Sequence, residues 1–229
     1  MVEYTGTPTG PVPVEPGVGS SYSHGFRQLK KCFLELLLIT IIGIVITAAS
    51  GAFGRNGNES GAAAGLLGVI GLAYTILLGQ PVEYGVSFAN LKAARGIKPE
   101  VKDMFESFKN YWNVVLAALL TGAIIIIGAI FFIVPGIYFA CKFAFTPYLV
   151  VERKMEAIEA VKESWRLTQG HGWTIFFMLL LAILISIAGF LVFIVGIIFS
   201  VMLINMAFAS LYHSVSPAVD SGPAPATTV

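Results

Sequence analysis

The sequence predicts an all-α transmembrane bundle of six spans joined by two amphipathic surface helices. Three observations predict it. Hydrophobic residues make up 56% of the 229-residue chain and charged residues 12%, with a mean hydropathy of +0.82. That is about half the charge of a soluble domain, and so much apolar surface cannot hide in a water-soluble core of this size. The apolar residues also fall in runs of about 20, which at 1.5 Å per residue cross a ~30 Å hydrocarbon layer. Finally, basic residues crowd into alternate loops.

The first 25 residues, MVEYTGTPTGPVPVEPGVGSSYSHG, are rich in Pro, Gly, Ser and Thr. They lack the basic start and apolar run of a signal peptide and are expected to be a disordered tail. The membrane domain is then 26–213, and 214–229 is a second disordered tail. The first span is Cys32 to Ala49. After the loop GAFGRNGNES the second runs from Ala62 to Phe88, with Pro81 expected to kink it. Gly96 and Pro99 mark a loop, and EVKDMFESFKNYW spaces Val101, Met104, Phe105, Phe108 and Trp112 as one helical face at the membrane surface.

The apolar stretch from Trp112 to Val151 would measure roughly 60 Å as one helix and must fold back. Pro135-Gly136 is the expected break, giving spans Trp112–Val134 and Gly136–Val151. RKMEAIEAVKESWRLTQG forms the second amphipathic stretch. Trp173 to Tyr212 is a last hairpin, with its turn near Gly196. An internal repeat supports these breaks. The stretches from Trp112 and Trp173 align without gaps: Gly128 matches Gly189, Phe132-Ile133-Val134 matches Phe193-Ile194-Val195, and Gly196 replaces Pro135. Upstream, Glu106-Ser107-Phe108 resembles Glu163-Ser164-Trp165.

Three regions hold all but two of the 14 basic residues: Arg27, Lys30 and Lys31; Lys92 to Lys109; and Arg153 to Arg166. Only Arg55 falls on the other side, and Lys142 falls within a span. The positive-inside rule places these regions, and with six spans both termini, in the cytoplasm.

Ionisable groups in spans are functional candidates because they are costly in lipid. Glu35 follows Lys31 by one turn and is expected to pair with it. Glu83, toward the cytoplasmic end of span two, is expected to form an interhelical ion pair with Lys142 of span four. The alternatives are separate snorkelling, a water-filled crevice or a substrate path. Trp112, Trp165 and Trp173 are expected interfacial anchors, in helices that either connect spans or sense anionic lipid. Gly43, Gly65, Gly68, Gly71, Gly122 and Gly128 are expected to let helices approach closely.

No catalytic, cofactor or metal site is expected. His24, His171 and His213 stand apart, Cys32 and Cys141 read as small apolar side chains, and there is no Walker loop, dinucleotide fingerprint or GxSxG elbow. A net charge of +1 gives no bias toward nucleic acid.

Several runs carry a family resemblance: Pro81-Val82-Glu83-Tyr84-Gly85, Ala94-Arg95-Gly96, Phe105-Glu106-Ser107-Phe108, Val134-Pro135-Gly136-Ile137 and AIEAVKESWRLTQG. From Phe26 to Tyr212 the chain resembles the bacterial integral membrane family known as domain of unknown function 975. Phe132 to Trp173 is also similar to the membrane domain attached to some bacterial glycerophosphodiester phosphodiesterases. The resemblance implies a multi-span bundle in the bacterial cytoplasmic membrane and carries over no catalytic residue. Two functions compete. One is a non-enzymatic accessory or scaffold protein that organises lipid or a partner membrane complex, or forms a homo-oligomer. The other is a small transporter or lipid-translocating protein working through Pro81, Glu83 and Lys142.

Overall fold

The computed structural model describes residues 16–55, 62–131, 133–191 and 193–216. Helix α1 spans Val18–Lys31, α2 Phe33–Arg55 and α3 Ala62–Tyr74. A π-helical turn, Thr75–Gly79, leads into α4, Gln80–Ala94, and a 3₁₀ helix, Val101–Asn110, runs straight into α5, Tyr111–Phe131. Then come α6 (Ile133–Lys142), α7 (Thr146–Glu152), α8 (Ala157–Leu167), α9 (Gly172–Leu191) and α10 (Phe193–Val215).

Among the described residues four stretches are long and apolar enough to cross a membrane: Gly68–Ala94, Val101–Phe131, Gly172–Leu191 and Gly196–Val215. Phe33–Ala48 makes a fifth only when taken together with α1, from which it is bent by 98°. The expected fourth span is a helix broken in two, because a turn at 143–145 separates α6 from α7. Composition marks that stretch as membrane-embedded, but Pro147 at the start of α7 cannot continue the ladder of α6.

Helix α1 overlaps the expected N-terminal tail, of which residues 1–15 lie outside the described residues. Its Gly- and Ser-rich sequence has poor helix propensity, so tertiary packing holds it. Ser21, Gly25 and Leu29 are buried. A Cβ on Gly25 would stand 3.1 Å from the backbone of Met206 and Ala207, so α1 lies backbone to backbone on α10. Tyr22 donates to Met178 O (3.2 Å), and His24 Nδ1 lies 3.1 Å from Ser210 Oγ. At the other end α10 runs to Val215 and Ser216 is buried, inside the expected C-terminal tail; 217–229 lie outside the described residues.

Pro81 explains the π-helical turn. It lacks the N–H that would reach Leu77 O, and the Tyr111 hydroxyl donates there instead (3.0 Å). The bulge shifts the register by one, so Gln80 N–H donates to Thr75 O. Ser107 then donates to Pro81 O (2.6 Å), and Lys92 Nζ pairs with Asp103 Oδ1 (2.7 Å). The 3₁₀ helix thus lies antiparallel along α4. Gly85 makes this approach possible, because a Cβ there would meet the Met104 backbone at 2.5 Å or less. Gly96, with φ +77°, closes α4 by a Schellman motif: Ile97 N–H reaches Lys92 O and Gly96 N–H reaches Ala93 O, both at 2.9 Å.

The repeat is visible in the hairpins. Gly128 of α5 makes room for Phe139 of α6, and Gly189 of α9 makes room for Ser200 of α10. Both partners stand eleven residues after their glycine, as the sequence alignment requires. The turns themselves fall earlier than expected, since Pro135-Gly136 and Gly196 lie in the first turns of α6 and α10. Pro is tolerated there because a first-turn N–H has no intrahelical partner. A Cβ on Gly136 would stand 2.9 Å from Ala129 Cα, so this residue's task is close helix contact. Gly43 is similarly tight against Val86, whereas nothing stands within 4 Å of a Cβ on Gly68 or Gly122. The surroundings of Gly65 lie outside the described region.

The core is concentrated at one end, which we call the hub. Leu29, Leu36, Leu91, Ala93, Phe145, Tyr148, Leu149, Val150, Leu211 and Tyr212 are buried together there. Tyr212 packs between Phe145 and Tyr148, with ring centroids 5.5 and 4.9 Å away. Away from the hub the hairpins expose large apolar side chains, among them Val69, Ile126, Ile130, Ile187 and Phe190. This is the surface a hydrocarbon solvent requires.

Candidate functional site: crevices at Glu83 and an ion-paired hub

Helix α4 carries Gln80, Glu83, Tyr84 and Ser87 at helical spacing, so they share one side. Two crevices flank that side. The first, of about 240 Å³, is completed by Thr121 and Ile125 of α5, Ala140 and Phe143 around the end of α6, and Pro147. The second, of about 300 Å³, is completed by Thr40, Gly43, Ile44 and Thr47 of α2 and Val201 and Asn205 of α10. Glu83 and Ser87 line both. Thr121 stands about 15 Å into α5 and Asn205 about 15 Å from the end of α10, halfway through a ~30 Å layer. Polar groups from four membrane segments therefore converge on one exposed carboxyl.

Glu83 and Lys142 are not paired. Among the described residues no cation reaches Glu83, whereas Lys142 Nζ sits 5.3 Å from the Trp165 ring centroid and 5.6 Å from that of Tyr138. The reason is the break after α6. Ser164 of α8 donates to Lys142 O (2.8 Å) and accepts from Phe145 N–H (3.3 Å), fixing this turn against α8. The lysine, 8% exposed, is thereby committed to the aromatic faces of α6 and α8. Ser164 does for this break what its aligned partner Ser107 does for Pro81.

The tryptophans divide. Trp112 and Trp173, 72% and 75% exposed, open α5 and α9 at equivalent positions. Trp165 packs instead against Tyr138, Phe139 and Phe143, which docks α8 on α6. Both amphipathic segments bury one face in the protein: Met104 and Ser107 in the first, Ala160 and Ser164 in the second.

The strongest electrostatic feature was not expected. Arg95, capping α4, is ion-paired with Glu152 at the end of α7; their side chains are 19% and 6% exposed. Next to it Arg153 donates to Ser216 Oγ (2.7 Å) and lies 3.7 Å from Glu163. Buried Arg–carboxylate pairs need close geometry to offset desolvation, and this one closes the hub by joining two short helices. Sequence spacing offered no pointer, since 57 positions separate the partners; only the basic cluster around Arg95 marked the place. Glu35 likewise pairs with Lys98 (2.8 Å), not with Lys31. The Lys98 pKa is raised by that hydrogen bond and charge. His24 is shifted the other way: burial, then the positive charge of Arg27, His213 and Lys31, lower its pKa.

The fold and these contacts define a polytopic helical membrane protein. Within that class, residues 113–216, from α5 to the end of α10, match the family model of the membrane domain of glycerophosphoryl diester phosphodiesterase. The relation expected from Phe132 to Trp173 thus extends over both repeated hairpins. No curated protein and no solved structure matches the chain.

Proposed function

We propose that this chain is a non-enzymatic accessory protein of the bacterial cytoplasmic membrane, organising lipid or a partner membrane complex, with its hub and both termini on the cytoplasmic side. One observation carries the reading: the hairpins are tied together at the hub and turn broad apolar faces outward beyond it. A hub of ion pairs holds the geometry, while the outer faces remain free to contact lipid, a second copy or another membrane protein. The basic residues gathered at the hub support the orientation. The matched domain supports a lipid setting, because it is the membrane part of an enzyme named for glycerophosphoryl diesters. The test is crosslinking in native membranes followed by gentle solubilisation. A homo-oligomer or a recurrent membrane partner is expected; a monomer in native membranes and in several mild detergents refutes the scaffold role.

The crevices favour a second reading, a small transporter or lipid-translocating protein, since they reach halfway through the membrane helices. In vesicles with fluorescent lipid in both leaflets, the purified chain would let an impermeant quencher reach the inner pool over time. Quenching that stops at the outer leaflet refutes it.

A further inference from the structure

We propose that the paired crevices at Glu83 form a binding site for a primary ammonium group. The argument is one of donors and acceptors. Glu83 lines both crevices, and among the described residues nothing cationic meets it. A carboxylate accepts and does not donate. Three of the hydroxyls around it have their single protons directed elsewhere: Ser87 donates to Glu83 O (3.0 Å), Thr47 to Gly43 O (2.9 Å) and Thr121 to Ala117 O (2.7 Å). What these side chains turn toward the crevices is lone pairs. The amides of Asn205 and Gln80 each add one acceptor oxygen beside an NH2 donor.

The unpaired Glu83 carboxylate repels phosphate or carboxylate, and with these acceptors beside it suits a cation rich in N–H donors. A primary ammonium brings three donors and a charge that offsets the expense of a carboxylate in a membrane helix. A quaternary ammonium brings the charge without the donors. Lys142 does not supply the need, because it lies on Trp165 and Tyr138. Ile44, Val82, Val86 and Val201 provide an apolar flank beside the polar lining. The site therefore fits the amine end of a lipid such as phosphatidylethanolamine, although a soluble amine carries the same chemistry. The inference goes beyond the scaffold reading, since occupancy can be measured whether or not a partner exists.

The test uses the full chain in mild detergent with equal amounts of phosphatidylethanolamine, phosphatidylcholine and phosphatidylglycerol, read by native mass spectrometry. Phosphatidylethanolamine is expected to be retained about fivefold over the others, the upper end for a solvent-screened ion pair. Glu83→Gln should remove the preference and Glu83→Asp keep part of it. Displacement of the bound lipid by millimolar ethanolamine would show that a soluble amine enters too; its failure would assign the site to the lipid headgroup. Equal retention of the three lipids, a preference for phosphatidylglycerol, or an unchanged preference in Glu83→Gln would overturn the proposal. Should Glu83→Gln not fold, Thr121→Val with Asn205→Leu keeps the carboxylate and removes acceptors. Its preference should fall, and an unchanged one would equally overturn the proposal.

Discussion

Replacing Gly85 by alanine tests the packing of the 3₁₀ helix on α4. The added Cβ would stand 2.5 Å from Met104 C and 2.9 Å from its Cα, with the carbonyl oxygen closer still. Ordinary contact is about 3.5–4 Å, so the connector must retreat by roughly 1.5–2 Å or α4 must bend. No flexible side chain can yield, because the opposing atoms are backbone. Overpacking of this kind costs about 1–3 kcal/mol, and stretching the buried Ser107–Pro81 bond adds about 1. The better helix propensity of alanine returns at most about 1 kcal/mol. A net loss of about 1–3 kcal/mol should appear in equilibrium unfolding followed by circular dichroism in mild detergent. Gly122→Ala is the control, since nothing stands within 4 Å of its Cβ, and should be neutral or slightly stabilising. If Gly85→Ala unfolds with the wild type, or Gly122→Ala is equally damaging, the tight connector is wrong.

Removing Arg95 or Glu152 alone should cost about 3–5 kcal/mol by leaving a buried charge, whereas Arg95→Met with Glu152→Leu should recover most of it; additive losses in the double-mutant cycle would contradict the pair. Ser164→Ala should cost about 1–3 kcal/mol and red-shift Trp165 fluorescence, measured with Trp112 and Trp173 changed to Phe; unaltered emission would mean that α8 is docked by other contacts. The lowered His24 pKa fixes a sign: between its lowered and its ordinary value the unfolded chain binds more protons, so stability rises with pH across that window and falls on acidification. Crosslinking of α1 to α10 should therefore weaken toward pH 5, less so in His24→Asn, and a pH-independent yield would count against it.

How much of this was legible in the sequence depends on the kind of interaction. Membrane class, repeat and hairpins follow from composition and spacing, and Gly128 and Gly189 were found because close approach leaves a residue-type mark. The break at 143–145 was not, because hydropathy reports the solvent of a segment and is silent on helix continuity. Helix α1 was missed because VGSSYSHG has the composition of a tail and becomes helical only against α10. Pairings such as Arg95 with Glu152, or Lys142 with two aromatic rings, depend on crossing angles that no single segment encodes. Glu83 stands out in the sequence as a carboxyl within a span, and its surroundings, not its identity, decide what it meets.

The contacts between α1 and the last hairpin carry a consequence for biosynthesis. Tyr22 reaches a carbonyl 156 positions later, and His24 a hydroxyl 186 positions later. The ribosome makes α1 before α10, yet its seat exists only once α10 has emerged. Until then α1 lacks the surface it rests on, and α10 acts as a latch. A nascent chain stalled before Asn205 would leave α1 undocked and visible to the proteases that survey incomplete membrane proteins.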